Sequence, residues 1–166
     1  MQRIRTAIEG AIAYLTEHPD EARATDSVAT ATLEEGLKVR IEGGDGATLA
    51  TDMVPSVGGE GSAPSPGWLL RAAVASCVAT LIAMRAAQRG VELAGVEVSV
   101  DSESDDRGIL GIDPDVPAGP LSMRISARAT TADGAPADDI ISWAVDHCPV
   151  SDAIRRAVPV STSIDR

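Results

Sequence analysis

The stretch WLLRAAVASCVATLIAMRAAQRG, residues 68–90, decides how the rest of the chain is read. Leu70, Ala73, Val74, Cys77, Leu81 and Met84 recur at i, i+3, i+4, i+7 spacing, the period of one helix face. Alanine is abundant, which favours helix and permits close helix–helix approach. Arg85 and Arg89 precede Gly90, so basic charge meets the negative end of a helix dipole and glycine supplies the C-cap. The spacing predicts a helix over 68–89, with Cys77 in its middle, on the apolar stripe and mostly buried. The helix is apolar around nearly its whole circumference, more than one subunit readily covers.

Upstream, residues 55–67 read PSVGGEGSAPSPG, a loop composition that delivers the chain to the helix. Before it come three segments: 27–33, rich in Val and Thr, then 37–42, then 47–53. Glu34-Glu35-Gly36 and Gly43-Gly44-Asp45-Gly46 separate them, the pattern of a β-meander. At the N-terminus Ile4, Ile8, Ile12 and Leu15, with Ala7 and Ala11, form a helical stripe over 3–17 that His18-Pro19 ends. Residues 1–24 are therefore expected to be an amphipathic helical extension, docked on the body or on a second subunit. Residues 25–166 are expected to form a single domain.

Downstream, Val96, Val98 and Val100 alternate with Glu97, Ser99 and Asp101, and the stretch 121–130 alternates in the same way; both read as half-buried strands. The intervening DDRGILGIDPDVPAGP is too rich in Pro and Gly for regular structure throughout. Residues 136–147 read as a helix with Ile140, Ile141, Ala144 and Val145 inward, and Cys148-Pro149 restarts a short one through Arg156. Residues 158–164 alternate as a final strand. Strands, long helix, strands, helices and strand in this order give an α+β architecture, not a regular βαβ series.

Composition narrows the function. Hydrophobic residues are 44% of the 166, with only 2% aromatic, so the core is built from Ala, Val, Ile and Leu. Fourteen basic against twenty-five acidic residues leave a net charge of −11, which repels phosphate backbones and argues against nucleic acid as a partner. Glu9 and Glu17 interrupt what would have to be the apolar stretch of a secretory signal. The longest nearly uncharged run, 72–84, is shorter than the ~20 apolar residues that span a bilayer. No membrane role and a cytoplasmic location are expected. No metal is expected either, since a zinc site would need Cys77, Cys148, His18 and His147 all to converge.

The two thiols differ. Pro149 suits a first helical position, which makes Cys148 the N-cap and turns free N–H groups and the positive helix end toward its sulfur, favouring thiolate. Asp152 opposes this slightly. Cys77 has no such help, and burial alone raises a thiol's pKa, so its activation needs a cation or a donor from elsewhere in the fold. His147 is next to Cys148, but neighbours on one helix point about 100° apart, so no His–Cys dyad is implied.

The stretches GGEGSAPSPGWLLRAAVASC, RGILGIDPDVPAG and CPVSDAIRRAVPV together resemble the OsmC/Ohr proteins, the osmotically inducible and organic hydroperoxide resistance family. The likeness runs from about residue 27 to 164. It implies an OsmC-like α+β fold: an N-terminal β-meander, a long buried central helix, a second sheet with two further helices, and an intertwined homodimer with its sites at the subunit interface. It implies Cys-based reduction of organic hydroperoxides, in which Cys77 attacks the peroxide and becomes a sulfenic acid, Cys148 condenses with it to a disulfide, and an external dithiol restores the pair. No bound cofactor is implied. Leu70, Val74 and Leu81 are expected to line the pocket for the apolar peroxide tail.

Two departures stand out. The family's activating carboxylate lies ten residues before the first Cys; here that position is Gly67, and Glu60 is the nearest substitute in the preceding loop. The family's activating Arg comes from the N-terminal hairpin, where Arg40 is the choice over Lys38 because guanidinium stays charged and can fork between two acceptors. These departures motivate two alternatives: a non-enzymatic dimer binding a small apolar ligand, and a thiol redox sensor without efficient turnover.

Overall fold

Ser65 and Pro66 start the central helix. The Ser65 hydroxyl accepts from the Trp68 N–H at 3.2 Å and its carbonyl accepts from the Leu69 N–H at 3.1 Å, while proline at the first helical position loses no hydrogen bond. In the computed structural model, which describes residues 1–164, this helix, α2, spans Pro66–Arg89. It ends as expected at Gly90, whose φ of +70° suits glycine. There the Val91 N–H donates to the Ala86 carbonyl and the Gly90 N–H to that of Ala87, closing a Schellman motif.

Contacts gather the chain into two compact units, one formed by Met1–Glu9 with the chain from Ala73 onward, the other by Gly10–Ala72. The N-terminal helix α1, Gln2–Glu17, contributes to both and ends before Pro19, as the sequence indicates. Met1 packs against the core of the first unit, and Ile4 and Ile8 are half-buried, whereas Ile12, Tyr14 and Leu15 are exposed.

In the Gly10–Ala72 unit the meander forms as an antiparallel sheet, ordered β1 (Ala29–Leu33), β2 (Val39–Gly43), β3 (Thr48–Thr51). Arg40 sits opposite Thr32 on one side and Ala50 on the other. After β3, Asp52 organises the Pro/Gly/Ser loop. Its carboxylate accepts from the N–H groups of Met53 (2.7 Å), Glu60 (3.2 Å) and Ser62 (2.9 Å) and from the Ser62 hydroxyl (2.9 Å). The loop closes so tightly that a Cβ on Gly59 would stand 2.0 Å from the Met53 carbonyl oxygen. Only glycine fits there.

In the other unit β4 (Leu93–Glu103) and β5 (Ser122–Thr131) form a two-stranded antiparallel ladder, with Val98 opposite Ala127. Between them lies the short helix α3 (Asp106–Ile109), capped by Asp105. Helices α4 (Asp138–Asp146) and α5 (Pro149–Arg156) follow. The inner face of the ladder (Val96, Val98, Val100, Met123, Ile125, Ala127, Ala129) packs with α4 on a cluster of Val74, Val78, Ile82, Ala86, Ile140, Ala144 and Cys148.

Four expectations need correction. The fully buried stripe of α2 is Val74, Val78, Ile82 and Ala86, about one residue round from the expected face; Ala73 is exposed and Cys77 only half-buried. Ala and Val occupy almost every face of this helix, so its apolar period does not fix its rotation. Within this chain the helix is not buried along its length, and Trp68 is 49% exposed. Residues 158–164 form no strand and add to no edge of either sheet; Val160 is 87% exposed. And α2, at 24 residues, is long and apolar enough by length and composition to cross a bilayer, whereas the run 72–84 was bounded by arginines and looked too short.

Ile82 is enclosed in the cluster, so Ile82→Ala is expected to lower stability by about 2–5 kcal/mol in denaturant unfolding. The Ser62 N–H foremost, then the Ser62 hydroxyl and the other two N–H groups, outweigh burial and hold the Asp52 carboxyl below the usual carboxylate range. A lowered folded value stabilises above the unfolded value, and that stability is lost as pH falls through the folded one. Asp52→Asn is therefore expected to lower Tm at neutral pH, with the gap to the parent closing in acid. A gap independent of pH would refute the charge's role.

Candidate active site

The candidate site is built on the turn between α4 and α5. Cys148 ends the chain's exit from α4 with extended backbone, Pro149 and Val150 open α5, and the Ser151 N–H points back to the cap. It donates to the Cys148 sulfur at 3.4 Å. The Ser151 hydroxyl reaches both the Cys148 carbonyl oxygen, at 3.2 Å, and its sulfur. Cys148 is fully enclosed. Cys77, half-buried on α2, packs against the cluster that holds Cys148. Both thiols are free.

The two sulfurs are thereby polarised in opposite directions. For Cys77, burial pushes the thiol up, donation to Cys148 pushes the same way, and the Val150 N–H only partly offsets them. For Cys148, burial also pushes up. The donors outweigh it: Ser151 through N–H and hydroxyl, the Cys77 thiol and the Val150 N–H leave Cys148 below an ordinary cysteine. Of the two, Cys148 is the more acidic thiol.

The other expected residues are placed as follows. Arg40 is exposed on β2, its guanidinium bonded to Glu34 at 3.2 Å and paired with Glu42. Glu60 gives its N–H to Asp52. Val74 is sealed in the core, and Leu70 and Leu81 are half-buried. His147 turns to Trp143, its Nδ1 2.8 Å from the Trp143 carbonyl and its ring stacked 4.1 Å away. Across the Trp143 ring lies Arg85, 4.7 Å from the centroid. A cleft of about 140 Å³ opens beside Ser151, walled by Met123, Ile125, Ile154 and Arg155. Sequence reasoning missed Arg71, whose Nη1 lies 3.9 Å from where a Cβ on Gly67 would stand. Its spacing of four residues from Gly67 was the available signal.

The sequence profile of the family described as OsmC-like protein matches residues 59–163, which include Gly67, Cys77 and Cys148. The chain belongs to this family. No curated protein sequence matches this OsmC-like chain. Among solved structures, an OsmC-like protein from Mycoplasma pneumoniae superposes with a TM-score of 0.67 at 13% identity, over 80% of this chain and 89% of that one. An organic hydroperoxide resistance protein from Legionella pneumophila, also titled a predicted redox protein, gives 0.58 at 24% identity, over 80% and 91%. An OsmC-like protein of unknown function from Vibrio cholerae gives 0.65 at 10%, over 78% and 94%. At these identities the likeness establishes the OsmC-like α+β fold, here with two small sheets and five α-helices among the described residues.

Restoring a carboxylate at position 67 is expected to strengthen the start of α2. The site leaves ordinary contact distance for a Cβ, a carboxylate there meets the positive helix end, and Arg71 lies one turn on. Gly67→Glu should gain about 1 kcal/mol, read as a raised Tm. A lowered Tm would show that the position needs glycine.

Proposed function

We propose that this OsmC-like protein reduces organic hydroperoxides with Cys77 and Cys148. The single observation that supports it most is the convergence of two free thiols, 71 residues apart in sequence (148 − 77), on one apolar cluster at the capped start of α5. The Cys77 sulfur, the more accessible of the two, bonds to the terminal peroxide oxygen while the O–O bond breaks, giving a sulfenic acid and an alcohol. The Cys148 sulfur then attacks the Cys77 sulfur, hydroxide leaves as water, and the disulfide forms. Two electrons leave the sulfurs and two enter the peroxide. An external dithiol restores the pair by exchange, so no bound cofactor takes part.

In this reading the half-buried Leu70 and Leu81 meet the peroxide tail, backed by Val74 in the core, in a cytoplasmic homodimer. Exposed Leu33, Leu49 and Trp68, with a strand-patterned tail that pairs with nothing in its own chain, support the homodimer. The Arg40 guanidinium, bonded to Glu34 and Glu42, and the absent carboxylate at Gly67 favour a second reading, a redox sensor that forms the same disulfide with little turnover.

Cumene hydroperoxide consumption with a dithiol donor tests both. Cys77→Ser is expected to abolish consumption. Cys148→Ser is expected to give one turnover and then over-oxidation of Cys77, seen by mass spectrometry. Disulfide formation without sustained consumption selects the sensor. No consumption with both thiols still titratable would remove both redox readings and leave binding of an apolar ligand.

A further inference from the structure

We propose that the contact of Arg85 with Trp143 is the positioning device for disulfide formation: the guanidinium on α2 and the indole on α4 hold the last turn of α4, and with it Cys148, in register with Cys77. Both are positioning residues, acting through the two cysteines. The inference rests on the reading of Cys77 and Cys148 as a redox pair and names what that pair needs beyond its sulfurs.

Disulfide formation is demanding, since the two Cα atoms must come within ~7 Å with their Cβ bonds turned toward each other. Hydrocarbon packing sets this only loosely here. Ala and Val cover almost every face of α2, and the residues of α4 sealed in the core are Ile140 and Ala144. A seam of small aliphatic side chains has few interlocking features to resist sliding or rotation. A cation over a ring is directional, and it is worth more where water is partly excluded. Arg85 and Trp143 are both half-buried, with the guanidinium carbon 4.7 Å from the ring centroid. The Arg85 Nη1 also donates to the Gln88 Oε1 at 3.5 Å. The His147 ring lies flat on Trp143, 4.1 Å between centroids and 16° from parallel, and its Nδ1 donates to the Trp143 carbonyl at 2.8 Å. His147 immediately precedes Cys148, so the stack passes directly into the backbone that carries the sulfur.

A second contact gives the register. One turn further along α2, Arg89 pairs at 3.4 Å with Asp139, which lies one turn before Trp143 on α4. The two helices therefore run antiparallel along this seam. Two turns back from Arg85 along α2 lies Cys77, on the side toward which α4 runs forward from Trp143 to Cys148. Sliding or rotating α4 against α2 carries Cys148 out of line with Cys77. Arg89 and Asp139 are themselves exposed, so their pair marks the register and adds little to it.

In the step that this register serves, the Cys148 sulfur attacks the sulfenic sulfur of Cys77. The S–S bond forms as the S–O bond breaks, and the hydroxyl leaves with the Cys148 proton as water. The Cys148 sulfur is oxidised by one level and the Cys77 sulfur reduced by one, so the step takes no further oxidant. Attack of Cys77 on the peroxide comes earlier, involves one sulfur, and does not use the register.

The test is a single turnover with cumene hydroperoxide, in which dimedone traps the sulfenic acid and mass spectrometry counts disulfide against sulfinic acid. Circular dichroism confirms the fold of each variant. Arg85→Met and Trp143→Leu are expected to keep sulfenic acid formation within about twofold of the parent, to slow disulfide formation about tenfold, and to raise the sulfinic share. The double variant is expected to lose no more than either single one, because the two side chains make one contact. Trp143→Phe, which keeps a ring under the guanidinium, is expected to recover most of the loss, and Arg89→Met to stay near the parent. A general loss of stability lowers the amount of reacting protein and leaves the partition between disulfide and sulfinic acid unmoved. An unchanged partition in Arg85→Met and Trp143→Leu, losses that multiply in the double variant, or an equal loss in Arg89→Met would overturn the proposal. Equilibration with glutathione reads the same register without peroxide: the disulfide is expected to be about tenfold easier to reduce in Arg85→Met. That shift, in a protein whose parent forms no sulfenic acid, would overturn the peroxidase reading and leave the positioning role in place.

Discussion

The capped start of α5 is the constraint on which the site depends. Pro149 cannot donate a backbone hydrogen bond, and Val150 and Ser151 have no carbonyl a turn earlier to receive theirs. These N–H groups must find an acceptor, and Cys148 offers a sulfur. That sulfur is enclosed by the stripe of α2 that runs through Val74 and Val78, so the acceptor cannot swing out to water. Cys77, one residue before Val78, then lies at the edge of the same packing. Helix geometry and hydrocarbon packing together bring two thiols to one cluster and shift their acidities in opposite directions.

The charge balance of the chain explains why backbone donors fill this role. With twenty-five acidic residues against fourteen basic, arginines are readily claimed by carboxylates. Arg40 bonds to Glu34 and Glu42, Arg124 to Asp101, Arg128 to Glu97 and Arg156 to Asp152. A guanidinium drawn from such a pair leaves a carboxylate behind, and exposed pairs of this kind are each worth only ~0–1 kcal/mol, so the cost is modest but real. An N–H at a helix start carries no competing partner. It is fixed by covalent geometry and available at every pH.

Much of this was legible in the sequence, and the limits have physical reasons. Pro149 after Cys148 was enough to give the N-cap, because proline at the first helical position is a local rule. Gly90 after two arginines gave the end of α2 for the same kind of reason. The meander and the Val96–Val100 strand followed from period-two alternation, since one buried face leaves a clear signature. The rotation of α2 was not legible: a helix with Ala and Val on nearly every face packs by shape, and shape depends on Ile140, Ala144 and the ladder across from it. The tail at 158–164 has the alternation of a strand, but a strand also needs an edge, and no sequence pattern states where that edge is. Asp52 was missed because a buried carboxylate that binds a loop's N–H groups has no period at all.

The same distinction separates what relatives of low identity share from what they need not share. A backbone with TM-scores of 0.58 to 0.67 to proteins 24% identical or less is kept by patterning and packing, which many sequences satisfy. Side-chain charge at position 67 or on the hairpin is not protected in that way, since neither is required to bury the core. The cap at Cys148 is different, because its donors are backbone atoms that exist whenever α5 exists. In this chain folding itself enforces the cap, with the Ser151 N–H on the Cys148 sulfur, whereas charge at position 67 or on the hairpin exists only where a side chain supplies it.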